Sequence, residues 1–105
     1  PGNLYAQYLK RVIRQSQSEL QWAIPWFVAQ ASYHVPGDEA SPDIRRAQAS
    51  LWKSGVALQG PDTDALKGSL RESNGQGVHF SREGLHAHAA AWAQCLLPWI
   101  QSTLN

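Results

Sequence analysis

The sequence has little of what marks nucleic-acid or membrane binding. Charged residues make up only 16% of the 105 residues, and the formal net charge is +1. Such a chain has no strong electrostatic attraction to a polyanion or to an anionic lipid surface. No apolar run approaches the roughly 20 residues that a membrane-spanning helix needs. We therefore expect neither a nucleic acid nor a membrane as a partner.

Cysteine and methionine are also scarce. The one cysteine, Cys95, excludes a disulfide within the chain and lies in an apolar run, where a small buried side chain is expected. Methionine is absent, and the chain begins Pro1-Gly2-Asn3, which predicts that it is a piece of a longer protein. Cellular location stays open, because a signal peptide could precede the residues present.

What is present is the composition of a small globular domain, with 43% hydrophobic residues. Its first apolar pattern has the three- and four-residue spacing of an amphipathic helix. The residues in this stripe are Leu4, Tyr5, Tyr8, Leu9, Val12 and Ile13. We expect Asn3 to cap this helix and the polar run 15–19 to end it.

A strand, a helix and a second strand follow. The apolar run from Ile24 to Ser32 predicts a strand covered on both faces. Ser41-Pro42-Asp43 predicts a helix start and Gly55 its end, and Val56-Ala57-Leu58 predicts the second strand. Two strands joined by a helix in this way form a parallel βαβ unit.

The last part of the chain is a loop followed by a helix. The segment from Gly60 to Gly77 is rich in Gly, Ser, Asn and Asp and lacks periodicity, while a helix is predicted from Ser81, with Pro98 kinking or ending it. The inventory is an α/β arrangement of about two strands and three helices. Two strands do not form a self-sufficient sheet of this type, so we expect missing strands to pack beside them.

The stretch Gly77-Val78-His79-Phe80-Ser81 carries the main candidate for chemistry. It places His79 one step before a helix, at the end of a loop that follows a strand. Loops at the carboxyl edge of parallel strands commonly form active sites, and an imidazole there can act as a general base. The alternative is a structural or surface histidine, which is the commoner role of a single histidine in a loop.

The same stretch resembles a known family. His79-Phe80-Ser81, with Gly84 and then Trp92 on the next helix, resembles the last conserved block of the SGNH hydrolases. The branch with sialate O-acetylesterases and acetylxylan esterases is the most similar. The segments 42–48 and 60–64 are similar to that branch in kind and order. The resemblance implies a flavodoxin-like (SGNH) three-layer α/β fold with a parallel sheet, in which residues 1–105 form the C-terminal segment of a single SGNH hydrolase domain.

The resemblance also implies a function for the parent protein. It would be a serine esterase that hydrolyses O-acyl esters, with acetyl as the expected group, on a carbohydrate substrate. His79 would take the proton of the serine hydroxyl, and neither a cofactor nor a metal would be needed. The chain has no Gly-Asp-Ser or Gly-Gln-Ser motif. Alone it is therefore expected to be inactive and to associate with the remainder of its own domain or with a second chain.

One residue departs from the family pattern. Where the family often has an aspartate three residues before the histidine, this sequence has Gln76. Three explanations are open: a Ser-His dyad oriented by a carbonyl or by the Gln76 amide, a substitute carboxylate from Asp62 or Asp64, or an inactive homologue. A second function also stays open, namely a non-enzymatic α/β interaction or carbohydrate-binding fragment.

Other polar residues are weaker candidates. Arg45 and Arg46 could meet a carboxylate substrate, although a solvated helix face is the simpler interpretation. Asp62 and Asp64 have the spacing of a turn more than that of a catalytic carboxylate pair. His86 and His88 are two positions apart on a helix and point in different directions, which disfavours a zinc site with His34.

Overall fold

Residues 1–104, which the computed structural model describes, form an α/β arrangement. The long helices are α1 (Gly2–Leu20), α2 (Pro42–Lys53) and α4 (Arg82–Leu104), and the strands are β1 (Phe27–Gln30) and β2 (Leu58–Asp62). Between β2 and α4 lie two 3₁₀ turns, Thr63–Ala65 and Gly68–Leu70, and the short irregular turn α3 (Glu72–Gly75). The predicted order of three long helices and two strands is confirmed.

The two strands are parallel, as the βαβ pattern predicts. Phe27 pairs with Leu58 and Gln30 with Asp62, and the register shifts by one residue between these pairs. Gly60 lies at this irregularity, where a Cβ atom would be 2.8 Å from the backbone nitrogen of Ala29. A larger residue at this position would push the strands apart, so the glycine permits their close approach.

Helices cover both faces of the sheet. Val28 points to one face and packs in a core cluster with Ile13 of α1 and Leu51 of α2. Because side chains alternate along a strand, Phe27 points to the opposite face. There its ring meets Trp99 of α4 edge to face, with centroids 5.7 Å apart. The expectation of a strand with helices on both sides is confirmed.

Much apolar surface nevertheless stays exposed. On α1 the predicted stripe divides: Leu9 and Ile13 pack inward, whereas three residues form an exposed apolar row. The row consists of Leu4, Tyr8 and Val12, which are 53%, 57% and 52% exposed. The radius of gyration is 15.2 Å, above the value of about 13 Å for a compact 100-residue domain.

The start of α2 follows the prediction, but that of α1 does not. Ser41 accepts a hydrogen bond from the Ile44 backbone N–H (3.3 Å), and Pro42 occupies the first helical position. The predicted cap of α1, Asn3, lies inside the helix, which begins at Gly2. The Gly2 N–H donates to the Asp43 carboxylate (2.8 Å). A residue of α2 therefore accepts the hydrogen bond of the first N–H group of α1, and the sequence around α1 alone does not reveal this partner.

Three other boundaries also differ. α1 runs through the polar residues 15–19 to Leu20, because the glutamines and the glutamate in this run are good helix formers and Gln17 donates to the Ile24 carbonyl. β2 begins at Leu58 rather than Val56, because the Ala57 N–H is still bonded to the last turn of α2, at the Leu51 carbonyl (3.0 Å). α4 continues past Pro98 to Leu104, so Pro98 does not end the helix, and the alternative, a kink at Pro98, stays a prediction.

β1 is shorter than predicted because a side chain takes over its pairing. Gln48 of α2 is 2% exposed. Its amide oxygen accepts from the Ala31 N–H (3.1 Å), and its amide nitrogen donates to the Ala31 carbonyl (3.2 Å) and to the Tyr5 hydroxyl (3.2 Å). This amide occupies the place of a strand partner and connects α1, α2 and the end of β1.

Replacing Gln48 by alanine should remove the hydrogen bonds that the Gln48 amide makes with the Ala31 N–H, the Ala31 carbonyl and the Tyr5 hydroxyl. We expect Gln48→Ala to lower the free energy of unfolding by about 1–3 kcal/mol, measured by urea unfolding. Gln15→Ala is the matched control, since the Gln15 amide meets only the exposed Glu19 carboxylate, and it should change stability by less than about 0.5 kcal/mol. Equal effects of the two substitutions would contradict the role of Gln48.

Candidate functional site

A charged network joins the carboxyl ends of both strands. Asp64, just beyond β2, is buried and accepts hydrogen bonds from the backbone N–H and the hydroxyl of Ser32, at 2.6 and 2.8 Å. Ser32 follows β1, and its hydroxyl in turn accepts from the Ser41 N–H (2.9 Å) at the start of α2. One carboxylate thus fixes the segment after β1 against the segment after β2.

Arg45 of α2 completes this network. It donates to both oxygens of Asp62, at 2.7 and 2.9 Å, and to Asp64 at 2.9 Å. These bonds to Asp62 and Asp64 raise the pKa of Arg45 above its ordinary value. The guanidinium is therefore committed within the protein, which corrects both sequence interpretations of Arg45 as a substrate ligand or a solvated residue.

The network also controls the ionisation of Asp64. Burial by itself would raise the pKa of Asp64, but the hydrogen bonds from Ser32 and Arg45 outweigh burial and hold the pKa below its ordinary value. Asp62 accepts from the Asp64 N–H (3.2 Å) and so caps the following 3₁₀ turn. Together these contacts favour the structural interpretation of the Asp-x-Asp pair.

A second buried cation, Arg71, lies in the loop before His79. It is 6% exposed, and its guanidinium donates to three carbonyls, those of Leu66 (2.6 Å), Val78 (2.7 Å) and Thr63 (3.0 Å). Its central carbon lies 3.9 Å from the ring centroid of Tyr33 and 4.2 Å from that of Phe80. Burial lowers the pKa of Arg71. The guanidinium therefore connects the end of β2 to the backbone beside His79.

His79 itself is exposed at the end of this loop. Its carbonyl accepts from the Glu72 N–H (2.9 Å), and Phe80 pairs with Arg71 in an isolated antiparallel bridge. Within residues 1–104 the imidazole makes no hydrogen bond. Gln76 is also exposed, and Asp64 is occupied by Ser32 and Arg45. Within residues 1–104 no hydrogen bond thus joins the side chains of the three predicted site residues.

The loop between Arg71 and His79 turns through unusual backbone angles. Ser73, Asn74 and Gly75 have φ values of 53°, 56° and 90°. Glycine and asparagine adopt such left-handed angles readily, whereas serine does so at a cost of about 1–2 kcal/mol. The Asn-Gly pair marks this turn in the sequence, but nothing in the sequence indicates that Ser73 shares its conformation.

A pocket of about 420 Å³ opens between α4 and the sheet, behind Phe80. Its aromatic wall includes Tyr33, Phe80, His88 and Trp92. His88 stacks on Phe80 with ring centroids 4.6 Å apart and accepts a hydrogen bond from the Trp92 indole N–H (3.1 Å). The Tyr33 hydroxyl is buried and has no hydrogen-bond partner within residues 1–104. Tyr33, which lines this pocket, therefore carries a buried hydroxyl without a hydrogen-bond partner among the described residues.

Sequence reasoning missed Arg71 and the buried hydroxyl of Tyr33. Arg71 lies in a Gly- and Ser-rich segment with no periodicity, so no pattern separates it from an ordinary solvated arginine. The signal that exists is indirect. An arginine facing the His79 stretch across a tight turn could have suggested a buried clamp, but only once the turn was known.

The histidines considered for zinc are not assembled into a site. Among the described residues no group of three possible metal ligands occurs. His34 lies beside Asp38 on the surface, 3.2 Å from its carboxylate, whereas His88 contacts Phe80 and Trp92. Within residues 1–104 no helix combines the length and the hydropathy that crossing a bilayer requires.

Comparison of the chain with protein-family models, with curated proteins and with solved structures found no match. The α/β class and the parallel pairing rest on the coordinates. The SGNH resemblance rests on the sequence motifs alone.

The hydrogen bonds to Asp64 predict a pH dependence of stability. Because folding lowers the pKa of Asp64, its ionised form stabilises the protein above the unfolded value of about 3.9. That contribution is lost as the pH falls through the lower, folded value. Asp64→Asn should be less stable at pH 7 and should lose less stability than wild type between pH 5 and 3, as followed by urea unfolding.

The matched control is Asp38→Asn, since this carboxylate is exposed. We expect its stability curve to follow that of wild type. An Asp64→Asn protein with the full acid dependence of wild type would show that another group causes that dependence.

Gly84 yields a second prediction, because it packs on backbone. In a helix, alanine is ordinarily about 1 kcal/mol more stabilising than glycine. Here an added Cβ atom would overlap the Leu70 carbonyl oxygen, so Gly84→Ala should instead destabilise the protein by about 1–3 kcal/mol. Glu83→Ala, one residue earlier and exposed, should change stability by less than about 0.5 kcal/mol. A stabilising Gly84→Ala would contradict the close contact.

Proposed function

We propose that this chain is the histidine-bearing C-terminal segment of an SGNH-type serine esterase with a flavodoxin-like fold. The observation that carries the proposal is the position of His79: its ring is exposed, and its loop is attached to the carboxyl end of β2 through Arg71 and Thr63. This edge is where parallel α/β proteins bind and transform ligands. The SGNH motif around His79 supplies the reaction class.

In the proposed reaction His79 is the general base. A serine from another part of the protein attacks the carbonyl of an O-acyl ester, with acetyl as the expected group, on a carbohydrate. The imidazole accepts the hydroxyl proton as the new C–O bond forms and then delivers it to the departing alcohol oxygen. Water repeats the sequence on the acyl-enzyme, which releases the acid and restores the serine.

The contacts of Asp64 bear on how His79 is oriented. Both oxygens of this carboxylate already accept hydrogen bonds, from Ser32 and from Arg45. Asp62 is likewise paired with Arg45. This favours a Ser-His dyad whose ring is oriented by a neutral group, such as the Gln76 amide or a carbonyl, over a triad that borrows Asp62 or Asp64.

The exposed apolar surface favours association of this segment. The α1 row of Leu4, Tyr8 and Val12 is more than half exposed, and within the described residues the sheet has only two strands. We propose that the remainder of the same domain, or a second chain, extends the sheet and supplies the serine. The same surface also supports a second candidate, a non-enzymatic interaction or carbohydrate-binding fragment.

The test is removal of the imidazole in the longest natural form of the protein. His79→Ala should lower kcat for p-nitrophenyl acetate and for an O-acetylated sugar by about 10²–10⁴-fold, the usual contribution of a general base. His86→Ala is the matched control, because this histidine is exposed on α4, and it should keep wild-type kcat.

Unchanged hydrolysis in the His79→Ala protein would overturn the proposed role of His79. If the wild-type protein hydrolyses neither ester but retains sugar binding, the non-enzymatic candidate is supported instead. The 105-residue chain alone should hydrolyse neither substrate, because no nucleophile motif is present in it.

A further inference from the structure

The backbone beside His79 is held from both directions. On one side the Val78 carbonyl accepts from the Arg71 guanidinium (2.7 Å). On the other side the Phe80 ring lies 4.2 Å from the same guanidinium. The His79 carbonyl itself accepts from the Glu72 N–H (2.9 Å). The exposed imidazole is therefore carried by a backbone with little freedom.

We propose that Arg71 is the positioning residue for His79. It acts through Val78 and Phe80, the two neighbours of the histidine, and not by contact with a substrate. Its third and fourth attachments, the Thr63 carbonyl and the Tyr33 ring, belong to the segments that follow β2 and β1. Arg71 thus connects the loop that carries His79 to the ends of the two strands. The catalytic consequence of this role rests on the proposed function, whereas the conformational consequence does not.

The geometry of the site explains why this residue is an arginine. Three carbonyls accept hydrogen bonds from the guanidinium, and its central carbon lies over two aromatic rings. A lysine ammonium has no planar fork of donors and cannot reproduce this combination of several directed hydrogen bonds with contacts to two rings. No carboxylate forms a salt bridge with Arg71 within residues 1–104, so the carbonyls and rings provide most of its local stabilisation.

The turn between Arg71 and His79 gives a further reason why the Arg71 side chain is needed to hold this loop. Ser73 and Asn74 adopt left-handed angles, and residues in sparsely populated conformations keep them only where surrounding contacts impose them. The Arg71 carbonyl accepts from the Gly75 N–H (3.3 Å), and the Glu72 carbonyl accepts from the Gly77 N–H (2.9 Å). Without the Arg71 side chain, these bonds, the Gln76 N–H bond to the Ser73 carbonyl (3.1 Å) and the Glu72 N–H bond to the His79 carbonyl (2.9 Å) would have to hold the turn against its strain.

The first test measures amide hydrogen exchange by NMR in Arg71→Lys and in the matched control Arg82→Lys. Arg82 is exposed next to the same loop and makes no side-chain hydrogen bond within residues 1–104. In Arg71→Lys the Glu72 amide, which bonds to the His79 carbonyl, should exchange at least about tenfold faster, the effect of losing roughly 1.4 kcal/mol of local protection. The Leu51 amide in the α2 core is the internal reference and should be unaffected, as should both amides in Arg82→Lys.

The second test separates positioning from general stability. In the natural full-length protein, Arg71→Lys should lower kcat for p-nitrophenyl acetate at least about tenfold and leave KM within about twofold. A merely structural role would lower the amount of folded enzyme and leave the kcat of the folded fraction unchanged. In Arg71→Ala, added guanidinium ion should restore protection of Glu72, whereas sodium chloride at equal ionic strength should not.

Unchanged Glu72 exchange in Arg71→Lys would overturn the positioning role, even if His79→Ala abolishes hydrolysis. Faster Glu72 exchange matched by equally faster Leu51 exchange would also overturn it, because the effect would then be global. If exchange changes as expected but the full-length protein hydrolyses no ester, the conformational role stands and the proposed function fails. The two conclusions are therefore tested separately.

Discussion

The carboxylate of Asp64 is the contact on which the arrangement of this molecule depends. It accepts from Ser32 after β1, receives a hydrogen bond from Arg45 of α2, and itself belongs to the turn after β2. With only a few fully buried apolar residues in the core, apolar burial alone would leave the ends of the two strands loosely related. The partly buried ion pair of Asp64 with Arg45 and the hydrogen bonds from Ser32 define that relation.

Arg71 likewise contacts the segments that follow β1 and β2, and it connects them to the loop before His79. The carboxylates of Asp62 and Asp64 pair with Arg45, whereas Arg71 has no carboxylate within salt-bridge distance among the described residues, and burial lowers its pKa. Three carbonyls and two aromatic rings surround the Arg71 guanidinium instead. The two neighbours of His79 in the sequence, Val78 and Phe80, thus both contact a buried cation.

Local signals in the sequence predicted the elements that depend on local interactions. Ser41-Pro42-Asp43 predicted the start of α2, and the apolar runs on either side predicted two parallel strands. Two of the errors arise where a distant residue takes part: Asp43 caps α1 in place of Asn3, and Gln48 ends β1 early. The same limit applies to the site. His79 is a candidate from its motif, whereas the burial of Arg71 depends in part on its contact with Tyr33, far away in the sequence.

The left-handed turn at Ser73, Asn74 and Gly75 restricts how this region can change in evolution. Backbone handedness, and not the chemistry of the histidine, decides which residues these positions accept: glycine, asparagine and aspartate fit, while valine, isoleucine and threonine are strongly disfavoured. Divergent relatives could therefore replace most of the side chains between Arg71 and His79 and still be recognisable by small or turn-forming residues at these three places. In this segment the backbone torsion angles would therefore be conserved longer than the identities of the residues.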